Sequence, residues 1–322
     1  MKKLLTYIKK YSFVLGIIIF LIILSKINLG EILKNIEKIK PIYLLSGALL
    51  TIPTIFTKAL CWNYIKKQQG IKYNLKDSFL MYCSGLYVGL ITPGRLGEIT
   101  KAFYLKNDGY SMGKSLVSIV LDRLSDIIFL LLFMFLGLIF FSATLQKTIL
   151  IPIVCIVIVI ILFIIFLKVG LIKWILNKIF HFFVPIKYQK SWKINSQDFI
   201  NDFKIYNLKN YIIISLITIF SWMFYYLQMY VLAKGIGIDV PFLYLAITVT
   251  VAGFITLIPV SISGIGTRDV ALIMLLTPFL VAKEQIIVFS ALILLMVVWG
   301  ALIGMICWLI KPIKLDSSKE VH

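Results

Sequence analysis

The sequence predicts an all-α integral membrane protein: a polytopic helical bundle of about six to eight transmembrane helices in two pseudo-repeated halves, each with a broken or re-entrant helix. The first observation behind this prediction is composition. Of 322 residues, 61% are apolar and 15% are charged, and the mean hydropathy is +0.99. A soluble domain carries roughly a quarter charged residues, so a soluble globular enzyme is excluded, as is a disordered chain.

The second observation is a series of apolar runs close to the roughly 20 residues that a helix needs to cross a bilayer. In the first half, about 1–167, the spans are predicted at 5–27, 41–60, 113–141 and 148–167, with a basic loop at 61–77 and a short apolar piece at 78–92. The second half, about 211–310, has spans at 211–233, 241–258 and 285–310 and a short piece at 270–281.

Between the halves, residues 168–184 form a basic, aromatic-rich amphipathic pattern that is typical of a helix lying in the headgroup plane. A cytoplasmic linker continues to residue 210, and a short tail occupies 311–322. The whole chain, 1–322, is interpreted as one membrane domain.

The charge distribution predicts the orientation. With 33 basic and 14 acidic residues the net charge is +19, and most lysines lie in short loops beside apolar runs. This pattern favours the positive-inside rule and anionic lipid headgroups over nucleic acid as the reason for the basic excess. The protein is predicted to lie in the cell membrane. Because the lysine-rich loops are 61–77 and 168–210, both termini are predicted to lie in the cytoplasm.

The third observation is a pair of proline–glycine breaks about half a chain apart. Their helix-breaking residues are Pro93, Gly94, Gly97, Pro259, Gly264 and Gly266. Such segments are also common in solvent turns. The apolar pieces beside them are too short for complete crossings, however, which favours interrupted helices of the transporter type. Unwound backbone inside a bilayer must face protein, water or a polar ligand.

Charged side chains beside the breaks are the candidate binding residues. The predicted lipid headgroup-binding set is Arg95, Glu98, Arg123, Asp126, Arg268 and Asp269. Arginine binds phosphate through two hydrogen bonds, and the carboxylates would hold the arginines in place. Structural ion pairs or interfacial charges are the alternative reading. Lone Lys58 is expected to extend to the membrane interface.

Chemistry that depends on metals, thiols or histidine is not indicated. The four cysteines are scattered and the two histidines are His181 and His322, so neither a zinc site nor a histidine relay is expected. There is no Gly-rich phosphate loop and no Asp-x-Asp motif. No catalytic residue, metal or cofactor is therefore assigned.

Two motifs carry a family resemblance. The segments 89–98 and 121–126, which read GLITPGRLGE and LDRLSD, together with 258–269, IPVSISGIGTRD, resemble the transmembrane-region family of lysylphosphatidylglycerol synthases, the flippase-like part of the multiple peptide resistance factor. The family usually has Glu where this chain has Asp269. The resemblance implies a helical membrane domain that moves a lipid between leaflets.

The resemblance implies two substrate classes, an aminoacylated phosphatidylglycerol or a polyprenyl-phosphate-linked sugar, and fold analogy does not choose between them. Membrane lipids with anionic headgroups are the predicted partners. One alternative is a phosphatidylglycerol lysyltransferase-type enzyme. Another is a membrane subunit that works with a separate synthase or glycosyltransferase.

Overall fold

The computed structural model describes residues 39–91, 97–141, 198–255 and 267–312. Regular structure in these residues is helical, and no strand occurs among them. The helices, in chain order, are α1 (Pro41–Gln68), α2 (Leu75–Ile91), α3 (Thr100–Asn107), α4 (Met112–Phe141), α5 (Leu208–Gly235), α6 (Phe242–Ile255), α7 (Thr267–Leu276) and α8 (Lys283–Ile310). Shorter helical turns lie at 97–99, 198–203 and Thr277–Phe279.

Three of these helices, α1, α5 and α8, are long and apolar enough to cross a membrane, and each has 28 residues. A helix of that length spans about 42 Å, which exceeds the roughly 30 Å hydrocarbon core. α4 has 30 residues, and none after Asp126 is charged. The protein is thus a multi-pass helical membrane protein, as the composition predicts, while the total number of crossings stays a prediction.

Apolar side chains on the outer faces of α1 and α5 are exposed, as lipid-facing residues would be. They are Ile42, Leu45, Leu49, Ile52 and Phe56 on α1, and Ile212, Leu216, Phe220, Met223 and Leu227 on α5. On α1 they recur every three or four residues, which places them on one side of the helix. Their exposure is favourable only in an apolar solvent such as the bilayer.

Where the structure describes them, the predicted spans coincide with helices except at the end of α1, and α3 was not predicted. The sequence predicted a basic loop from residue 61, but the helix continues to Gln68. Lys66 is fully buried in this extension, with its Nζ 3.6 Å from the ring centre of Trp62 and donating to Ser78 Oγ at 3.0 Å. Because an aromatic ring and a hydroxyl are its partners, this lysine can stay inside the protein. The lysine content of 61–77 therefore predicted the end of α1 too early.

α1 and α5 pack against each other through small and polar residues. Gly47 allows the close approach, because a Cβ at that position would lie 2.7 Å from Leu232. Gln228 Nε2 donates to the Gly47 carbonyl oxygen and to Thr51 Oγ1, both at 2.7 Å. Small residues and interhelical hydrogen bonds are what hold helices together in lipid, so these contacts hold α1 and α5 together.

α2 and α8 form a second close pair. A Cβ on Gly304 would lie 2.5 Å from the carbonyl oxygen of Cys83, so only glycine fits there. Cys83 and Cys307 are close enough to influence each other electrostatically across the same interface. α2 leads into the first proline–glycine break, and this packing therefore fixes the helix that precedes the candidate site.

The end of the predicted linker is folded against α1. Residues 198–203 are helical, and Phe203 is buried. Tyr206 donates its hydroxyl to the Ile65 carbonyl oxygen at 2.8 Å, and Gln69 Nε2 donates to Asp202 at 3.1 Å. Burial raises the pKa of the Asp202 carboxyl, which lies outside the spans.

Several predicted features lie outside the described residues. They are the spans at 5–27 and 148–167, the amphipathic segment at 168–184, the tail beyond 312, and the break residues Pro93, Gly94, Pro259, Gly264 and Gly266.

Candidate functional site: two buried charge centres

The first centre begins where α3 meets α4. The turn at 97–99 supplies Glu98, and the first turn of α3 supplies Lys101. Lys101 Nζ lies 3.2 Å from Glu98 Oε2 and 3.0 Å from Asp122 Oδ2 on α4. The Lys101 side chain is only 1% exposed, so this lysine is an internal cation with two carboxylate partners.

Arg123 on α4 joins the same carboxylates from the other side. Its Nη1 lies 3.2 Å from Glu98 Oε1, and its Nη2 lies 3.0 Å from Asp122 and 3.3 Å from Asp126. Nη2 also donates to the Tyr82 hydroxyl of α2 at 3.1 Å. The ion pair that the three-residue spacing of Arg123 and Asp126 predicts is therefore present, within a larger network.

Two further helices contribute to Asp126. Lys58 on α1 forms an ion pair with Asp126 Oδ1, and the indole Nε1 of Trp222 on α5 donates to the same oxygen at 3.0 Å. The Lys58 side chain is 12% exposed. The expectation that Lys58 extends to the interface is thus wrong, because a carboxylate inside the bundle is a better partner than a distant headgroup.

Among the described residues, three cations and three carboxylates make up this ion cluster: Lys58, Glu98, Lys101, Asp122, Arg123 and Asp126. Its formal charge is therefore zero. Asp122 Oδ1 and Arg123 Nε are buried without a hydrogen-bond partner within the described part of the chain. The cluster is balanced in charge but not saturated in hydrogen bonds.

The local sequence of α2 makes room for Lys101. A Cβ on Gly85 would lie 2.7 Å from the Lys101 Cγ. The aliphatic part of the Lys101 side chain therefore occupies the space that a side chain at position 85 would need. The Lys101 Nζ lies 4.4 Å from the ring centre of Tyr82, which adds a cation–π contact. Gly85 and Tyr82 together admit this buried cation.

The second centre lies at the start of α7. Arg268 is 5% exposed, and its Nε donates to Ser290 Oγ on α8 at 2.8 Å. The Ser290 hydroxyl in turn donates to Asp269 Oδ1. Arg268 also lies within electrostatic range of Tyr225 on α5. Ser290 therefore stands between the guanidinium and the carboxylate and orients both.

α5 connects the two centres. Trp222 donates a hydrogen bond to Asp126 of the ion cluster, and Tyr225, one turn further along, lies within electrostatic range of Arg268. The rings of Trp222 and Tyr225 meet edge to face, with their centres 5.3 Å apart. Both centres thus border the same face of α5.

The predicted site residues divide between the two centres. Glu98, Arg123 and Asp126 meet in the ion cluster, whereas Arg268 and Asp269 meet at Ser290. Gly97 begins the turn that carries Glu98. Arg95 lies outside the described residues.

Sequence reasoning missed Lys58, Lys101, Asp122 as a cluster member and Trp222. The available signal was charge balance: once Asp122 is counted with Glu98 and Asp126, three carboxylates stand against the two arginines Arg95 and Arg123, so at least one further cation is needed.

Similarity to known proteins agrees with this architecture. The family described as Lysylphosphatidylglycerol synthase TM region matches residues 10–304.

The chain belongs to this family. As a member of the lysylphosphatidylglycerol synthase transmembrane-region family, it is also similar to the UPF0104 membrane protein MJ1595 of Methanocaldococcus jannaschii. The two are 22% identical over 280 residues, which cover 83% of each chain. The family match spans both charge centres and all eight helices in whole or in large part.

Proposed function

We propose that the protein translocates a phosphate-bearing lipid, either an aminoacylated phosphatidylglycerol or a polyprenyl-phosphate-linked sugar, between the leaflets of the cell membrane. One observation carries the proposal: charged side chains of five helices and turns are buried in the interior of a multi-pass membrane protein. Each ionisable residue at mid-membrane costs on the order of 3 kcal/mol on the insertion scale. An ionisable residue inside the membrane is therefore a candidate for a substrate pathway by default.

The proposed headgroup path runs along α5. The predicted binding set, Arg95, Glu98, Arg123, Asp126, Arg268 and Asp269, supplies its polar groups. The hydrogen bond of Trp222 to Asp126, its ring contact with Tyr225, and the electrostatic effect of Tyr225 on Arg268 support a common path past both centres. The acyl chains would stay in the bilayer beside the exposed apolar faces of α1 and α5. The headgroup therefore crosses through a polar interior while the tails remain in lipid.

The order of helix lengths supports two related halves. In the first half α1 has 28 residues, α2 has 17, α3 has 8 and α4 has 30. In the second half α5 has 28, α6 has 14, α7 has 10 and α8 has 28. α1 and α5 begin 208 − 41 = 167 residues apart, and α2 and α6 begin 242 − 75 = 167 apart.

The helix contacts repeat in the same way. α2 packs against α8, and its counterpart α6 packs against α4. α1 contacts α2 and α4, and α5 likewise contacts α6 and α8. Related halves that rock about a shared site provide alternating access in many transporters. This pattern supports alternating exposure of the headgroup path, with both termini in the cytoplasm as the lysine-rich loops predict.

Translocation can be measured with the purified protein in vesicles. Fluorescent phosphatidylglycerol and a fluorescent polyprenyl phosphate are placed in both leaflets, and a membrane-impermeant quencher reports the fraction that exchanges. We expect wild-type protein to accelerate exchange of at least one lipid over empty vesicles, and the Arg95→Ala/Arg268→Ala double variant to be slower.

Equal rates for the wild type and the double variant would contradict the proposal. A Lys106→Ala variant is the control, because Lys106 is an exposed cation of α3 outside both charge centres.

A further inference from the structure

Lys101 and Arg268 occupy corresponding places in the two halves. Each lies in the first turn of a short helix that follows a proline–glycine break, and they are 268 − 101 = 167 residues apart. This spacing equals that of the paired helix starts. Both side chains are buried, with Lys101 at 1% and Arg268 at 5% exposure. Each faces the long helix that comes next, α4 for Lys101 and α8 for Arg268.

Their partners differ in charge. Lys101 meets a carboxylate of its own turn, Glu98, and a carboxylate of α4, Asp122. Arg268 meets a hydroxyl of α8, Ser290. In the described ranges, no ion pair within 4 Å includes Arg268. Within the described residues, the first half therefore pairs its buried cation directly with two carboxylates, and the second half places no carboxylate within 4 Å of its cation.

A buried guanidinium without a carboxylate in direct contact is costly, because the more distant charge of Asp269 offsets only part of its desolvation. Asp269 lies on the same turn but is held through the Ser290 hydroxyl rather than by the guanidinium. Ser290 occupies Nε, and the two Nη groups are the remaining donors. Two adjacent N–H donors on one fork match two oxygens of a phosphate.

We infer that the two halves have separate roles along this path: Arg268 binds the headgroup phosphate, whereas the ion cluster around Lys101 lines the path as an internally neutralised network and does not bind the phosphate. This assignment rests on the proposed function, since it names the phosphate contact within that path. It also limits the substrates to lipids whose phosphate can accept two hydrogen bonds from one guanidinium group. Ser290 is a positioning residue, because it acts on the phosphate through the orientation of Arg268.

Binding can be tested separately from transport. The full-length protein in detergent is titrated by calorimetry with dihexanoyl phosphatidylglycerol, with dihexanoylglycerol, which lacks the phosphate, and with glycerol 3-phosphate and inorganic phosphate. We expect the phosphate-bearing lipid to bind and the neutral lipid to bind far more weakly. Free phosphate binding as tightly as the lipid would overturn the assignment to a lipid headgroup.

Variants locate the contact. Arg268→Met should weaken phosphatidylglycerol binding by roughly tenfold or more, since hydrogen bonds to a charged group are lost. Arg268→Lys, which keeps the charge but loses the fork, should be intermediate and covers the case in which Arg268→Met fails to fold. Lys106→Met on α3 removes an exposed cation and should bind as the wild type does.

The outcomes distinguish the inference from the proposed function. If the wild type exchanges lipid in vesicles and Arg268→Met exchanges and binds it equally well, the inference is wrong and translocation stands. If the wild type binds phosphatidylglycerol through Arg268 but does not exchange it, translocation is wrong and the phosphate site stands. A fall in thermal stability of Arg268→Met with unchanged lipid affinity would make Arg268 structural and would also overturn the inference.

Discussion

The ion cluster and the Arg268 centre each bury a cation in the first turn of a short helix. The two cations differ in their direct partners, which are carboxylates for Lys101 and a hydroxyl for Arg268. In the cluster, α4 contributes Asp122 and Asp126, and every cation has at least one carboxylate within the network. At the second centre, α8 contributes a serine. Burial alone therefore says little about the role of a charged residue in a membrane protein, and the identity of its partners says more.

The largest expected difference concerns stability. Lys101→Met leaves Glu98, Asp122 and Asp126 with only two cations, and removing one partner of a buried pair costs about 3–5 kcal/mol. We expect a clearly lower thermal midpoint in detergent. Arg268→Met removes a cation that has no carboxylate paired with it, so its midpoint should stay near the wild-type value or rise.

A charge-restoring double variant tests the reason. Lys101→Met/Asp122→Asn returns the cluster to two cations and two carboxylates and should recover much of the lost midpoint. No recovery would mean that packing of the lysine stem beside Gly85, and not charge balance, explains the effect. Equal losses in Lys101→Met and Arg268→Met would remove the distinction between the two centres.

A smaller effect is expected at the edge of the cluster. Lys58→Met, Asp126→Asn and the double variant form a cycle whose coupling we expect to be about 0.5–3 kcal/mol. The pair joins α1 to α4, and Asp126 keeps Arg123 as a second partner, so the loss is partly compensated. Thermal or denaturant unfolding of the four proteins measures the coupling, and a value near zero would show that Lys58 is not part of the network.

The smallest effect is expected for Trp222→Phe. The ring remains, but the hydrogen bond to Asp126 is lost, at a cost of about 1 kcal/mol. Trp299→Phe is the matched control, because that indole on α8 donates to the Ala48 carbonyl oxygen at 3.2 Å and faces outward. If Trp222 joins the two centres, lipid exchange should slow in Trp222→Phe and not in Trp299→Phe. Equal rates of lipid exchange in the two variants would show that α5 is not part of the headgroup path.

Much of the fold follows from local patterns. The apolar runs at 113–141, 211–233 and 285–310 predict α4, α5 and α8, because helix length and hydropathy are properties of a continuous segment. α1 exceeds its predicted end because the partners of Lys66 and Trp62 come from other segments, Ser78 on α2 and Ser118 on α4. A boundary that depends on distant partners has no local signature.

The site follows the same rule. Arg123 and Asp126 are three residues apart on one helix, so their pairing is predictable. Lys58 and Asp126 are 68 residues apart in the chain, and Lys101 resembles an ordinary loop lysine after a glycine break. Their convergence depends on how α1, α3 and α4 pack, which no spacing encodes. Arg268 differs from Lys101 because its partner is Ser290, an uncharged residue that no sequence pattern marks as a partner of a buried cation.

The proximity of Cys83 and Cys307 has a practical consequence. Gly304 brings α2 and α8 so near that these two thiols influence each other electrostatically, and both are free and buried. Any motion that parts the two helices must also part the sulfur atoms. The separation of α2 and α8 can therefore be followed by cross-linking these two cysteines, without introducing a label.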